Sequence, residues 1–399
     1  MSSLLEHIKR SPVAHLLMTI TFFTSAIILN ILQGILYYFL RPFWKYAYRK
    51  LNYYLCYSLY SQLVFMAEWW SGSDIVVYTD KEVFKKYFGK EHAFLILNHT
   101  YDIDWLIGWI FCDRVGVLGN CKAYAKKSIQ YVPTMGWAWK FSESVFLERN
   151  WDKDKDTIGR QVAQLCQYPD PMFLLLFAEG TRFTEDKHKA SVAFATEKGL
   201  PILKHHLNPR TKGFTSSLPE LRGKVPAIYN IQMCFDPTAP VKPTVMNLLL
   251  GKPVLGHMFF ERIPVEEVPE KEEDAAQWLR DLYCKKDKMM ESFLKTGDYF
   301  KTSGVPRVEA IRLNRRPFSI INMSVWAVLT LIPMVYCLTC LLTSGSTVYV
   351  SIGLIIISVF FILLYLLIEQ TKIDKGSSYG KTTPTTPTKD PNGSNLKSD

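Results

Sequence analysis

Three long apolar stretches constrain this 399-residue chain more than any other feature, because no ordinary soluble core requires them. They run from Ser11 to Leu40, from Ser319 to Leu342 and from Val348 to Ile368. The first is longer than a bilayer requires at about 1.5 Å of rise per residue, so it spans with a tilt or is re-entrant. It is not a cleaved signal peptide, because its apolar run is too long and no small-residue cleavage site follows it. Only the uncharged TSGST separates the other two, which predicts a C-terminal transmembrane hairpin.

The orientation of the hairpin follows from its basic flanks, because such flanks stay on the cytoplasmic side of a membrane. These flanking residues are Arg307, Arg312, Arg315, Arg316, Lys372 and Lys375. We therefore expect both ends of the hairpin, and everything from about residue 41 to residue 316, to face the cytosol. The formal net charge of +10 suits anionic lipid headgroups and nucleic acid alike. The apolar stretches favour membrane lipids as partners and argue against nucleic acid.

Composition divides the chain into five parts. Residues 1–70 combine the membrane anchor with an aromatic and basic segment typical of a helix at the bilayer surface. Residues 71–300 are long enough for one α/β core and alternate short apolar runs with segments of helical periodicity, including a helix over 272–294. A basic linker (301–316) precedes the hairpin (317–370), and a polar tail rich in Pro and Thr (371–399) is predicted to be disordered. The eight cysteines form no zinc-like pattern, and a reducing cytosol argues against disulfides.

The stretch FLILNHTYDIDWL places a histidine directly after an apolar run. A buried strand that ends at Asn98, followed by a helix that begins near Asp102, would deliver His99 to the end of a strand, where α/β sheets commonly bind ligands. A turn would bring the carboxylate of Asp104 to one ring nitrogen. Such a carboxylate fixes the tautomer and leaves the other nitrogen to accept a proton. The pair predicts a general base; the alternatives are a structural histidine, and a helix N-cap for Asp102.

A second apolar run, Phe173 to Phe177, is followed by Glu179, Gly180, Thr181 and Arg182. Glycine lets the backbone turn tightly near a ligand, threonine offers a hydroxyl, and arginine presents a fork that suits phosphate oxygens. The tetrapeptide predicts a phosphate-binding turn; the alternative is an ordinary strand-end turn with a surface ion pair. If both apolar runs are strands of one sheet, the histidine and this turn share a cleft.

The two motifs together resemble the first and third signature blocks, Asn-His-x4-Asp and Glu-Gly-Thr-Arg, of the glycerolipid acyltransferases that act on lysophosphatidic acid. The second block of that family is similar to VFLER, with Phe146 and Arg149, and the fourth is similar to GLPIL, with Pro201. AKKSIQYVP resembles the basic element between the first two blocks, which puts Lys126, and after it Lys127, near the phosphate. AEWW, NPRTKGF and KGSSYG look like the gamma and delta animal members, so the resemblance covers nearly the whole chain.

The resemblance implies the glycerolipid acyltransferase fold, with a mixed, largely parallel sheet flanked by helices. It also implies transfer of an acyl group from acyl-CoA to the sn-2 hydroxyl of 1-acylglycerol 3-phosphate, giving phosphatidic acid at the endoplasmic reticulum membrane. Acyl-CoA is then a co-substrate, and we expect no cofactor or metal, because the thioester is already activated.

In this scheme His99 is the catalytic base and Asp104 orients it. The substrate-binding residues are Glu179, Gly180, Thr181, Arg182, Arg149 and Lys126. A carboxylate beside a bound phosphate would repel it, so we expect Glu179 to orient Arg182 or a backbone turn.

Three other functions fit parts of the sequence. An acyltransferase could act on a lysophospholipid with a larger headgroup. A non-catalytic protein that shapes or binds membranes would have no need of both His99 and Asp104. A serine hydrolase is suggested by GSSYG, which formally matches G-x-S-x-G, but Ser378 follows a membrane helix instead of lying between a strand and a helix.

Overall fold

Eight strands form one sheet in the computed structural model, which describes residues 2–148 and 150–372. The strands are β1 (Asp74–Tyr78), β2 (Ala93–Leu97), β3 (Cys121–Lys126), β4 (Val145–Leu147), β5 (Phe173–Leu176), β6 (Ala227–Phe235), β7 (Leu255–Pro264) and β8 (Ala310–Ile311). The helices are α1 (Ser2–Arg10), α2 (Pro12–Ile35), α3 (Lys45–Phe65), α4 (Lys81–Tyr87), α5 (Asp104–Arg114), α6 (Met135–Phe141), α7 (Trp151–Leu165), α8 (Glu185–Lys198), α9 (Lys212–Thr215), α10 (Leu218–Leu221), α11 (Val245–Leu249), α12 (Glu272–Thr296), α13 (Phe318–Leu342) and α14 (Thr347–Thr371). Arg149, the GSSYG motif and all of the predicted tail except its first two residues lie outside this description.

The strand order is β4-β3-β5-β2-β6-β7-β1-β8. The first five strands in this order run parallel, whereas β7 is antiparallel to β6, β1 is parallel to β7, and β8 is antiparallel to β1. This arrangement confirms the predicted mixed, largely parallel sheet. Parallel neighbours require crossover connections, and helices supply them and cover the sheet.

The central strand β2 shows how the sheet separates two layers of core. Its five residues are all buried, as the continuous apolar run predicted. Because successive side chains of a strand point to opposite faces, Phe94 and Ile96 pack with α7 and α12, while Leu95 and Leu97 pack with α3 and α5. The helix predicted over 272–294 is α12, and it ends at Gly297, whose φ of 72° is the left-handed conformation that terminates helices.

Parallel pairing brings the ends of β2 and β5 to one edge of the sheet. Ile96 lies opposite Leu176, so both chains leave the sheet at the same level. The helix after β2 begins at Asp104, two residues later than predicted. Its start is set by the Asp104 carboxylate, which accepts the backbone N–H groups of Tyr101 and Trp105. The later start leaves residues 98–103 free to turn.

Three helices are long and apolar enough to cross a membrane in the part of the chain that the structure describes: Pro12–Leu40, Phe318–Leu342 and Thr347–Thr371. The first includes α2 and a π-helical turn, and it packs against both α13 and α14. Helix α3 packs against α2 and α13 through polar contacts such as Gln33 to Asn52 at 2.9 Å. The position of α3 at a bilayer surface and the five-part division of the chain stay predictions.

Candidate active site

The side chain of Asn98 links the end of β2 to β6 through two hydrogen bonds. Its Nδ2 donates to the carbonyl oxygen of Met233 at 3.0 Å, and its Oδ1 accepts the Met233 N–H at 2.8 Å. Asn98 is fully buried, so these bonds are shielded from water. The residue after it, His99, therefore leaves the sheet from a fixed point.

The imidazole of His99 is held by Asp104 at the first residue of α5. Nδ1 of the ring lies 2.8 Å from Oδ2 of the carboxylate, as the sequence predicted. The carboxylate is fully buried, whereas 15% of the histidine side chain is exposed. The buried anion favours the tautomer with its proton on Nδ1, which leaves Nε2 to accept a proton. This arrangement suits a general base.

An aromatic ring that the sequence reasoning missed covers one face of the imidazole. Phe177 stacks on His99 with ring centroids 3.9 Å apart and an interplanar angle of 18°. Phe177 directly follows β5, so the parallel pairing of β5 with β2 brings the two rings together. The signal in the sequence that could have indicated this contact is the aromatic residue two positions before Glu179.

Glu179 connects the turn after β5 to the turn after β2. Its Oε1 accepts the backbone N–H of His99 at 2.9 Å, and its Oε2 accepts the backbone N–H of Leu207 at 3.1 Å. The residue is fully buried. Of the two expected roles, orienting Arg182 or orienting a backbone turn, these contacts correspond to the second.

A lysine lies behind this carboxylate. Lys286 of α12 is fully buried and donates its Nζ proton to the carbonyl oxygen of Ile231. Burial lowers the pKa of Lys286 to about 7, and the negative charges of Glu179 and Glu261 oppose that shift. The lysine therefore contributes part of a positive charge behind the site near neutral pH.

The rest of the turn follows the predicted order but adds an unexpected contact. Gly180 has a φ of 72°, and Thr181 is buried. The backbone N–H of Phe183 donates to the carbonyl oxygen of His99 at 2.8 Å, a second link between the two motifs. Nη1 of Arg182 donates to the carbonyl oxygen of Thr371 at 2.6 Å and to that of Lys372 at 3.2 Å. The turn therefore lies against the end of the last apolar helix.

The other two predicted cations come from neighbouring strands. Lys126 is the exposed last residue of β3, which lies beside β5 and runs parallel to it, so Lys126 projects at the same edge as the turn. Arg149 lies outside the described residues, two positions after the end of β4. Lys127, the next residue, pairs with Glu148 at 2.5 Å.

Arg210 is a further cation at this edge that the sequence reasoning did not select. Its backbone N–H donates to the carbonyl oxygen of Ala178 at 2.7 Å, and its exposed side chain lies over Gly180. The only sequence signal was its place in NPRTKGF, a segment that figured in the family resemblance alone.

Comparisons with known proteins show the family of this chain. The family model described as acyltransferase matches residues 75–225, and the one described as acyltransferase C-terminus matches residues 247–326. The chain is 41% identical over 377 residues to the gamma 1-acyl-sn-glycerol-3-phosphate acyltransferase of Homo sapiens, covering 94% of this chain and 97% of that protein. The chain belongs to the 1-acylglycerol-3-phosphate acyltransferase family. The resemblance inferred from its motifs is thereby confirmed.

One further relative and one solved structure were also found. The delta 1-acyl-sn-glycerol-3-phosphate acyltransferase of Bos taurus is 40% identical over 373 residues, which cover 94% of this chain and 96% of that protein. A crystal structure of the 1-acyl-sn-glycerophosphate (LPA) acyltransferase of Thermotoga maritima is 14% identical, with a TM-score of 0.39, and covers 68% of this chain and 93% of that chain.

Within residues 2–148 and 150–372, no cluster of three or more His, Cys, Asp or Glu side chains could hold a metal ion.

Proposed function

We propose that this acyltransferase transfers an acyl group from acyl-CoA to the sn-2 hydroxyl of 1-acylglycerol 3-phosphate, giving phosphatidic acid. The observation that carries the proposal is the shared edge, at which a histidine paired with a buried carboxylate lies beside a turn that ends in arginine. The full-length likeness to enzymes named for this acceptor supports the choice of substrate.

The proton chemistry centres on His99. Its Nε2 takes the proton of the sn-2 hydroxyl as the oxygen attacks the thioester carbonyl. The tetrahedral intermediate collapses by breaking the carbon–sulfur bond, and the departing thiolate of CoA takes the proton back from the imidazolium. Asp104 holds the ring and stabilises its charged form between these steps. General-base catalysis of this kind accelerates a reaction by about 10²- to 10⁴-fold.

The phosphate is held by the cations at the same edge. Arg182, Arg149 and Lys126 supply positive charge, while Gly180 and Thr181 offer backbone and hydroxyl donors. Fixing the phosphate fixes the glycerol hydroxyl against the thioester, and such positioning lowers a barrier by roughly 7 to 11 kcal/mol. The buried carboxylate of Glu179 shapes the turn without meeting the phosphate.

The reaction takes place at the cytosolic surface of the endoplasmic reticulum membrane in this proposal. The basic residues before α13 support the cytosolic orientation. The contact between Arg182 and the end of α14 supports a site at headgroup depth, because the acyl chain of the acceptor can then stay in the bilayer.

The test uses the purified full-length protein in lipid nanodiscs. It receives radiolabelled oleoyl-CoA and lysolipids that share one acyl chain and differ in headgroup. We expect labelled phosphatidic acid as the main product and a loss of at least about 10²-fold in His99→Ala. Faster acylation of a lysolipid with a larger headgroup than of lysophosphatidate would contradict the proposed acceptor. Unchanged activity of His99→Ala would contradict the proposed base.

A further inference from the structure

Two arginines belong to the turn at Gly180 or to the segment packed on it. Arg182 belongs to the turn itself, whereas Arg210 comes from the segment that follows α8 and folds back onto the turn. Two hydrogen bonds fix that segment: Arg210 N–H to the carbonyl oxygen of Ala178 at 2.7 Å, and Leu207 N–H to the Glu179 carboxylate at 3.1 Å. The main chain thus places Arg210 beside the motif that contains Arg182.

Gly180 provides the space that Arg210 occupies. A Cβ atom at this position would lie 3.0 Å from Cδ of Arg210 and 3.3 Å from its Nε. Its φ of 72° is itself unfavourable for any residue with a side chain. The glycine therefore allows both the turn and the close passage of an arginine side chain over it.

Arg182 has only part of its guanidinium available for a ligand. Nη1 is engaged by the carbonyl oxygens of Thr371 and Lys372 at the end of α14, which leaves the edge formed by Nε and Nη2. A phosphomonoester carries a charge of about −1.5 to −2 near pH 7 and three acceptor oxygens. One arginine edge cannot satisfy all the acceptor oxygens of such a group, so it can take further donors at the same turn besides Lys126 and Arg149.

We propose that Arg210, whose side chain passes over Gly180, also binds the acceptor's phosphate. The assignment rests on the proposed function, because it takes a phosphomonoester lipid as the acceptor. The phosphates of acyl-CoA share this chemistry. The acceptor's phosphate is favoured because Arg182 ties the turn to the end of a membrane helix, and the lysolipid phosphate lies at that depth.

The experiment uses the full-length protein in nanodiscs with Arg210→Ala, Arg210→Gln and Arg210→Lys. The matched control is Lys189→Ala, since Lys189 is an exposed cation of the adjacent helix α8. The KM for lysophosphatidate and the KM for oleoyl-CoA are measured separately. Inhibition by dodecyl phosphate is measured as well, because this probe carries the phosphate but no hydroxyl that could be acylated.

We expect Arg210→Ala and Arg210→Gln to raise the KM for lysophosphatidate and the inhibition constant of dodecyl phosphate about 10- to 100-fold. Arg210→Lys should recover part of both losses, because it keeps the charge. The KM for oleoyl-CoA of the Arg210 variants should stay within about twofold of the unmodified protein. For Lys189→Ala, both KM values and the inhibition constant should stay within the same limit. If Arg210→Ala does not fold, the comparison of Gln with Lys decides, because both replacements keep a long side chain.

The assignment would be overturned if Arg210→Gln left the KM for lysophosphatidate and the inhibition constant of dodecyl phosphate unchanged. It would also be overturned if Arg210→Gln and Arg210→Lys had the same values of both constants. A raised KM for oleoyl-CoA alone would assign Arg210 to the phosphates of CoA instead. If the unmodified protein acylates lysophosphatidate, these outcomes concern Arg210 only. If it does not, the proposed function fails, and the assignment of Arg210 fails with it.

Discussion

The carboxylate of Glu179 accepts the backbone N–H of His99 at 2.9 Å, so a hydrogen bond to a buried carboxylate joins the two motifs. The second oxygen of Glu179 accepts the N–H of Leu207, which leads into the segment of Arg210. One side chain therefore connects His99, the turn after β5 and the segment that contains Arg210. An acidic residue is compatible with the proposed phosphate site because its oxygens accept backbone N–H groups.

Replacing Glu179 by glutamine should damage the site despite the equal size of the two side chains. The amide NH₂ group would face a backbone N–H, so one donor would be left without an acceptor, at a cost of about 1 to 3 kcal/mol. We expect kcat to fall at least about tenfold as His99 shifts, with a lower thermal unfolding midpoint. Glu197→Gln is the control, because Glu197 is exposed on α8 and pairs with its neighbour Lys198. Normal kcat in Glu179→Gln would contradict this role.

His99 and Asp104 should behave as one unit. We expect His99→Ala and Asp104→Asn each to lower kcat by about 10²- to 10⁴-fold, since the amide can donate to Nδ1 and so favours the wrong tautomer. The double variant should be no slower than the slower single variant, because residues that act as a unit are not additive. Single-turnover rates with saturating substrates measure this. Losses that multiply in the double variant would show that the two residues act separately.

The location of the site was predictable because it depends on local signals. Apolar runs that stop at Asn98 and at Glu179 mark strand ends. The ends of neighbouring parallel strands lie at the same edge of a sheet, independently of how the other segments fold. The bond between His99 and Asp104 was also predictable, since only a short turn separates them. The exact start of α5 was not, because it depends on which carboxylate meets the free N–H groups.

The contacts that the sequence did not reveal come from long-range packing. An aromatic residue such as Phe177 after a strand usually belongs to a core, and only the pairing of β5 with β2 shows that it meets an imidazole. Arg210 is selected by the way its segment folds back over Gly180. The bond from Arg182 to Thr371 depends on where the last membrane helix ends relative to the sheet. The local sequence around each of these residues does not predict which partner it meets.

Phe177 should assist the base through its ring. When His99 takes up a proton, the charged imidazolium lies against the π face of Phe177, an interaction of about 0.5 to 2 kcal/mol. We expect Phe177→Leu to lower kcat about 3- to 30-fold, while Phe177→Tyr keeps most of the activity because it retains the ring. Steady-state kinetics at saturating oleoyl-CoA measure both. If leucine and tyrosine give the same kcat, the stack has no role in catalysis.

Lys286 should make the stability of the protein depend on pH above neutrality. Its pKa in the folded protein is lowered to about 7 from 10.5, so between these pH values the unfolded chain binds more protons and stability rises with pH. From pH 7 to pH 9 the increase from this residue is about 2 kcal/mol. Lys286→Met should remove it, which thermal unfolding midpoints of both proteins at the two pH values would reveal. Lys295→Met is the control, since Lys295 is an exposed cation of the same helix that pairs with Glu291. If the midpoint of Lys286→Met changes with pH as much as that of the unmodified protein, Lys286 is not the source of the pH dependence.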